Sequence, residues 1–173
     1  LTGGKWTTYR KMAEDVIDQA ERVAGLSHKP SPTAALAIHG AGGALPPTKA
    51  LQFYGSDAAS ISMLMAGDPA LAAPIHASLA ITPAEVLWHA RQEMARTVED
   101  VLARRTRSLV LDAQASIEAA PAVAALLARE LKRDAAWTAQ QVRSFTDLAR
   151  GWLLRVPKGP ATPARSPAVA QVA

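Results

Sequence analysis

The sequence predicts a mainly α-helical protein, in which a helical C-terminal domain follows a short segment made of a turn and one helix. Two observations support this fold class. Apolar residues recur at spacings of three and four along several segments, which is the period of an amphipathic helix. Strand signals are nearly absent, and the best of them, Ser108-Leu109-Val110-Leu111, is short. We therefore expect helices that pack on one another without a sheet.

The first predicted helix follows directly after the Gly3-Gly4 pair. Gly25 is its expected end, because glycine readily adopts the left-handed conformation that closes a helix. Residues 26–55 are rich in proline and lack sustained periodicity, which predicts a long connecting loop. The apolar residues that recur along the helix are Tyr9, Met12, Ala13, Val16, Ile17, Ala20 and Val23.

Further helices are predicted after this loop. A short helix is expected over residues 57–66, with Ser56 as N-cap and Gly67 as stop. Thr82-Pro83-Ala84-Glu85 reads as a capping box with proline at the first helical position. It opens the segment 83–104, which a restart at Thr97 could divide in two. The apolar stripe of this segment is Leu87, Ala90, Met94, Val98, Val101 and Leu102.

The C-terminal part of the sequence predicts two more helices and a tail. Pro121 is expected to open one helix, because proline is tolerated in the first turn. Asp134 is expected to cap the last helix. Residues 156–173 contain four prolines and many alanines, and we expect them to form a disordered tail.

Composition excludes several classes of protein. The 173 residues are 49% hydrophobic and 20% charged, which is typical of a globular chain with a core. The absence of cysteine excludes disulfides and thiolate metal sites. The four histidines show no i,i+3 or i,i+4 pairing, so no metal site is predicted. No apolar run approaches the roughly 18 residues of a membrane span, and the acidic first helix does not fit a signal peptide. Leu1 in place of an initiator methionine suggests that the chain was processed or begins inside a longer protein.

The net charge of +4 arises at the C-terminal end. The last acidic residue is Asp147, and Arg150, Arg155, Lys158 and Arg165 follow it, while the first 147 residues hold fifteen basic and fifteen acidic side chains. A nucleic-acid surface would need a basic stripe on the folded part, so no nucleic-acid partner is predicted. The basic end is either a soluble extension or a contact with anionic lipid.

The Gly3-Gly4-Lys5 turn lies immediately before a helix N-terminus. Backbone N–H groups, the positive end of the helix dipole and a lysine together suit an anion, and paired glycines allow close approach to the backbone. The same pattern is also a plain connection, and it is neither a P-loop nor a dinucleotide fingerprint.

Two separated blocks resemble one family. Gly3-Gly4-Lys5-Trp6-Thr7-Thr8-Tyr9-Arg10, continued by Lys11-Met12-Ala13-Glu14-Asp15, is similar to the segment of FAD-dependent glycerol-3-phosphate dehydrogenases that re-enters the flavin site. The block from Arg91 to Thr106 resembles the signature of that family's helical C-terminal domain, and Tyr54-Gly55-Ser56-Asp57 lies between them in the expected order. The resemblance covers residues 2 to about 154.

The resemblance implies a division of the chain. Residues 1–25 would be the C-terminal remnant, a turn plus a helix, of an FAD-binding α/β domain, and residues 26–55 the connecting loop. Residues 56–155 would form the helical C-terminal domain, followed by the tail at 156–173.

The resemblance also implies a cofactor and a site. FAD would bind against Gly3, Gly4, Lys5, Trp6 and Thr7, with Lys5 also near the phosphate of glycerol 3-phosphate, and no catalytic residue is assigned. The intact parent would oxidise glycerol 3-phosphate to dihydroxyacetone phosphate and pass electrons to a quinone. It would be cytoplasmic and peripheral on the inner membrane, with the remaining FAD domain and the membrane as partners. Because the sequence has no G-x-G-x-x-G, the chain alone is expected to be inactive and to hold no flavin.

Two alternatives remain at this point. The chain could be a non-catalytic helical module that docks on a flavin domain or a membrane, or an unrelated helical interaction protein. A polar stripe also has two possible interpretations. It consists of Glu93, Thr97, Asp100 and Arg104, with an i,i+4 ion pair between the last two. It is either a solvated face or a network that fastens the helical domain to a flavin domain.

Overall fold

The computed structural model describes residues 3–42 and 49–154, and within these ranges it contains helices and turns but no strand. The prediction of a mainly α-helical chain is confirmed. The chain divides into two compact units, Leu1–Ser60 and Ile61–Ala173. The tail predicted at 156–173 lies outside the described residues.

The first unit is built around helix α1, Tyr9–Ala24. A 3-10 turn, Trp6–Thr8, leads into it, and two more 3-10 segments follow at Pro32–Ala34 and Lys49–Asp57. Gly25 ends α1 at φ 67°, as predicted. Its N–H bonds to the Arg22 carbonyl at 3.3 Å, and that of Leu26 to the Glu21 carbonyl at 2.9 Å. This is the pairing of a Schellman motif, which satisfies the last carbonyls of the helix.

Two glycines bring the middle of the loop after α1 against its end. Gly40 and Gly55 both have positive φ, and a Cβ on Gly55 would lie 1.9 Å from the Gly40 carbonyl oxygen. The Ser56 N–H donates to that oxygen at 3.2 Å, and the Ser56 hydroxyl donates to the Ala41 carbonyl. The sequence had predicted that Ser56 caps the next helix. In the structure Ser56 instead closes this loop.

The division between the units falls within helix α2, Ala58–Gly67. The second unit continues with a 3-10 turn at Pro69–Leu71 and four further α-helices. These are α3, Pro83–Gln92; α4, Ser108–Leu111; α5, Ala113–Glu130; and α6, Ala135–Arg150, with a π-helical turn at Asp100–Arg105 between α3 and α4.

The core of the second unit surrounds α5, which packs against α3, α4 and α6. Alanines on α5 let its neighbours approach closely, and valine and leucine side chains fill the space between them. The α5 members of the core are Ala113, Ala115, Ala119, Ala120, Val123, Ala124 and Leu127.

The capping predictions for this unit are partly right. Thr82 and Glu85 form the predicted reciprocal capping box, and Asp134 caps α6 through the Trp137 N–H at 2.8 Å. Pro121, however, lies inside α5 and does not open it. Asp112 is the cap, since its carboxylate accepts the Ala115 N–H at 2.9 Å. Good helix formers between the cap and the proline, together with core packing, offset the cost of about 3 kcal/mol for an interior proline.

Ser108–Leu111, the best of the weak strand signals, forms a helical turn, in keeping with the expectation of helices without a sheet. One further expectation was wrong. Met94 does not belong to the apolar stripe, because α3 ends at Gln92 and Met94 lies in the following loop, 76% exposed and at φ 58°. The segment 83–104 is thus divided into two helical parts, as the possible restart at Thr97 allowed. The helical spacing of apolar residues does not continue through the break.

Candidate functional site

The turn predicted to meet the flavin is an exposed backbone feature. Gly3 and Gly4 have φ values of 75° and 115°, a region that L side chains rarely adopt. A Cβ at Gly4 would also lie 2.3 Å from the Met12 sulfur. Glycine is therefore required here by conformation. The backbone is open at Gly3, where a Cβ would meet nothing within 4 Å, whereas the Met12 side chain fills the space beside Gly4.

The rest of the turn is fixed by Thr8. Its N–H and its hydroxyl both donate to the Lys5 carbonyl, at 3.0 and 2.9 Å. Trp6 is 87% exposed, and its ring stacks on that of Tyr9 with centroids 5.8 Å apart. The structure thus places Gly3, Gly4, Lys5, Trp6 and Thr7 in one exposed turn at the start of α1. Their assignment to a flavin stays a prediction.

Lys5 differs from the other cations near the turn. Arg10 pairs with Glu14 at 2.6 Å, and Lys11 pairs with Glu14 at 2.7 Å and with Asp15 at 3.0 Å. Hydrogen bonds from Lys11 and then Arg10 hold the pKa of Glu14 below its usual range, and those carboxylates raise the pKa of Lys11. Lys5 has no ion pair within the described part of the chain. Its charge is available to an incoming anion.

An apolar groove lies beside the turn. It has a volume of about 510 Å³ and runs between α1 and the segment 29–38. None of the sixteen residues of α1 is buried. The first unit therefore presents a helix whose apolar side is uncovered within the described residues.

The second predicted block is organised around Asp100. One of its carboxylate oxygens accepts the N–H groups of Arg96 and Thr97, each at 2.9 Å, while the Thr97 hydroxyl accepts the Asp100 N–H at 3.1 Å. The other oxygen pairs with Arg104 at 2.8 Å, which confirms the predicted i,i+4 pair. Burial opposes the charge of Asp100, but these hydrogen bonds outweigh it and lower its pKa. Thr97 and Asp100 thus form a reciprocal capping box at the start of the helical segment that contains the π-helical turn.

Two arginines that the polar stripe did not include complete this network. Arg105 donates to the Glu93 carbonyl and, at 3.0 Å, to the Asp100 carbonyl. Arg96 donates to the carbonyls of Ala90 and Ala95 at 2.8 and 2.9 Å. Arg96 and the bond from Arg105 to Glu93 close the loop after α3 by satisfying carbonyls at and beyond the helix end. The available signal was the density of arginine after a helix end, where such carbonyls lie.

His89 is fully buried on α3 behind this network. Burial, reinforced by the nearby charge of Arg105, lowers the pKa of His89 to about 4. The side chain is therefore neutral at physiological pH, and a structural role in the core accounts for it.

One group of potential metal ligands occurs among the described residues. Ligand atoms of Asp18, Glu21 and His28 lie within 4.8 Å of one another at the end of α1. His28 Nδ1 is 3.1 Å from a Glu21 carboxylate oxygen, so a surface hydrogen bond explains the proximity. Asp18 and His28 are ten residues apart, so the i,i+3 and i,i+4 pattern of histidines does not indicate this group.

The fold and the turn together define a class of chain that is mainly α-helical, with a first helix that follows a positive-φ glycine pair and has an exposed apolar side among the described residues. Residues 1–140 match the family described as the C-terminal domain of alpha-glycerophosphate oxidase. The chain belongs to this family.

Similar proteins carry a consistent name. The bovine and human proteins called mitochondrial glycerol-3-phosphate dehydrogenase are each 36% identical over 155 residues, which covers 78% of this chain and 21% of theirs. Glycerol-3-phosphate dehydrogenase 2 of Mycobacterium tuberculosis is 31% identical over 160 residues, or 82% of this chain and 27% of its own. The chain thus spans about a fifth to a quarter of the length of these relatives.

No solved structure matches the chain. Among the described residues, no helix is both long and apolar enough to span a bilayer.

Proposed function

We propose that this chain is the C-terminal portion of a flavoprotein that oxidises glycerol 3-phosphate to dihydroxyacetone phosphate. FAD supplies the chemistry of hydride acceptance, and electrons pass onward to a membrane quinone. The observation that carries the proposal is the exposed Gly3-to-Thr7 turn, whose Lys5 forms no ion pair among the described residues, within the region that matches the family.

The turn fits a flavin edge on physical grounds. Gly3 and Gly4 have positive φ and carry no side chain, and at Gly3 nothing lies within 4 Å of the position of a Cβ, so a planar ring can approach the backbone there. A flavin ring gains negative charge on accepting hydride, and a cation with helix-terminal N–H groups stabilises such charge. Lys5 is the residue that we assign to this electrostatic task.

Lys5 also suits the phosphate of the substrate. A lysine ammonium binds phosphate as a point charge, and within the described residues Lys5 is not held by a carboxylate. We propose that it orients glycerol 3-phosphate so that the carbon to be oxidised faces the flavin ring.

The intact protein is proposed to work as a peripheral enzyme on the cytoplasmic face of the inner membrane. Quinones are confined to the bilayer, so the enzyme must reach its surface. Trp152 and Leu154 are exposed at the end of the second unit, beside the basic C-terminal sequence, and this combination favours contact with anionic lipid.

The test compares two lysines in the intact flavoprotein. Lys5→Ala is expected to lower kcat/KM for glycerol 3-phosphate about tenfold or more, because a charge-assisted contact is worth about 1.5–3 kcal/mol. Lys11→Ala removes a cation six residues away that is already paired with Glu14 and Asp15. It should leave kcat/KM unchanged.

An equal effect of the two variants on kcat/KM would show that Lys5 is not part of the site. The alternative function is a non-catalytic docking module, which the uncovered face of α1 favours. It would be preferred if the intact protein bound FAD but glycerol 3-phosphate never reduced it.

A further inference from the structure

The C-terminal half of α1 carries two carboxylates with which no lysine or arginine side chain pairs among the described residues. Asp18 and Glu21 are three positions apart, so they lie on one face of the helix. Glu14, earlier on the helix, pairs with Lys11 at 2.7 Å. In the described part of the chain, the ionisable group nearest to both Asp18 and Glu21 is the imidazole of His28.

This placement of charge is unfavourable for the helix. Like charges three positions apart repel each other, and carboxylates near a helix C-terminus also meet the negative end of the helix dipole. Glu21 lies in the last turn of α1, which ends at Ala24. The His28 imidazole offsets these repulsions only when it is protonated. A bound cation offsets them whatever the charge of the imidazole.

The chain turns back at Gly25 and brings His28 over this face. The Lys29 N–H donates to a Glu21 carboxylate oxygen at 3.2 Å, and His28 Nδ1 lies 3.1 Å from the same oxygen. His28 Nδ1 is also 3.8 Å from an Asp18 carboxylate oxygen. A hydrogen bond explains the first of these two imidazole distances. The second exceeds hydrogen-bonding range, so it leaves the position of Asp18 unexplained.

The three donor atoms have the spacing of a zinc coordination shell. Bonds of about 2.0–2.2 Å from zinc to nitrogen and oxygen place the ligand atoms of a tetrahedral site about 3.4 Å apart. The two Nδ1 distances, 3.1 and 3.8 Å, lie on either side of this value, and all three atoms lie within 4.8 Å of one another. One imidazole nitrogen with two carboxylates suits Zn²⁺, whereas Ca²⁺ and Mg²⁺ prefer shells of oxygen atoms alone.

We propose that Asp18, Glu21 and His28 form a three-ligand site for Zn²⁺, with the fourth coordination position open to water. The ion joins the end of α1 to the loop that follows it and neutralises the two carboxylates. The bond from the Lys29 N–H orients Glu21 from outside the shell, as metal sites commonly require of their ligands. The site is independent of the flavin chemistry proposed above.

Titration calorimetry of the untagged, metal-free chain with ZnCl₂ tests the site. We expect one Zn²⁺ per chain. His28→Gln removes the nitrogen ligand and should weaken binding about tenfold or more. His39→Gln is the matched control, since His39 Nδ1 lies 3.0 Å from an Asp57 carboxylate oxygen in a similar exposed pair that belongs to no three-ligand group among the described residues. It should leave the affinity unchanged.

Asp18→Asn separates a three-ligand site from a simple imidazole–carboxylate pair. It keeps the size of the side chain and leaves the hydrogen bond between His28 and Glu21 in place. Binding of Zn²⁺ should weaken about tenfold or more here as well. Full affinity in Asp18→Asn or in His28→Gln would overturn the proposal, and so would an equal loss in His39→Gln.

Cobalt absorbance gives a readout on the wild-type chain, which holds even if a variant fails to fold. Tetrahedral Co²⁺ absorbs visible light far more strongly than the hydrated octahedral ion. We expect the strong spectrum, and we expect equimolar Zn²⁺ but not an excess of Mg²⁺ to abolish it. A faint octahedral spectrum, or displacement of Co²⁺ by Mg²⁺, would show only an exposed acidic surface and would overturn the site.

Discussion

The charge state of His89 follows from the position that α3 gives it. The pKa of the folded state, about 4, lies below the ordinary 6.5 because burial disfavours the imidazolium and the Arg105 charge adds to this. Between these two values the unfolded chain binds a proton more readily than the folded chain. His89 therefore contributes its full stability above about pH 6.5, and this contribution is lost as the pH falls toward 4.

We predict that the isolated chain loses about 2 kcal/mol of unfolding free energy between pH 8 and pH 5, as the two pKa values require. Denaturant titrations at both pH values measure this loss. His89→Gln should flatten the dependence, whereas His28→Gln, a substitution on the surface, should preserve it. The carboxyl groups with lowered pKa, such as Asp100, change the unfolding free energy only at pH values below this range of pH 5 to 8. A wild-type dependence that survives in His89→Gln would contradict the assignment.

Asp100 and Arg104 differ in importance although they form one ion pair. The Arg104 side chain is 55% exposed and that of Asp100 only 20%. In the isolated chain Arg104→Ala should cost about 0.5 kcal/mol or less, as exposed pairs do. Asp100→Ala should cost about 1–2 kcal/mol, because it also removes the acceptor of two backbone N–H groups.

Denaturation midpoints of the two variants check this order. In the intact protein, an Arg104→Ala cost of several kcal/mol would show the buried interdomain network that remained open at the sequence level. A cost equal to that in the isolated chain would leave Arg104 on a solvated face.

At the scale of elements, local capping chemistry was the most predictable part of the fold. The boxes and caps at Thr82, Asp134 and Gly25 depend on residues within five positions of one another, so the sequence alone reveals them. The start of α5 was missed because Pro121 is a stronger local signal than the Asp112 cap, and only core packing decides between them. The arginine-rich segment after α3 indicates that carbonyls are satisfied there, but the sequence does not show which carbonyls Arg96 and Arg105 reach.

Thr82 provides a matched test of the capping box that begins α3. The Thr82 N–H and hydroxyl donate to one Glu85 carboxylate oxygen at 2.9 Å, and the Thr82 oxygen accepts the Glu85 N–H. Thr82→Ala should lower the unfolding free energy by about 1–2 kcal/mol, while Thr82→Ser should cost far less because it keeps the hydroxyl. Equal losses measured by thermal unfolding would show that the methyl group, and not the cap, is what α3 needs.

For the whole molecule, family and fold class could be predicted from sequence because two separated motifs occur in the right order. The groove could not be predicted, since its second wall is a proline-rich segment without periodicity. The Gly3-to-Thr7 turn was recognised as a motif, and the structure adds that its glycines have positive φ and that its lysine has no ion pair among the described residues. The central proposal is therefore that Lys5 and the Gly3-to-Thr7 turn contact a flavin that glycerol 3-phosphate reduces.

Anaerobic absorbance of the intact flavoprotein tests that claim most directly. Addition of glycerol 3-phosphate is expected to bleach the bound flavin, with one FAD reduced per chain, and glycerol without the phosphate should be far less effective because Lys5 has no anion to bind. The isolated chain should show no flavin absorbance at all, since it offers one edge of the site. A flavin that stays oxidised at saturating glycerol 3-phosphate, or stoichiometric FAD on the isolated chain, would contradict the account.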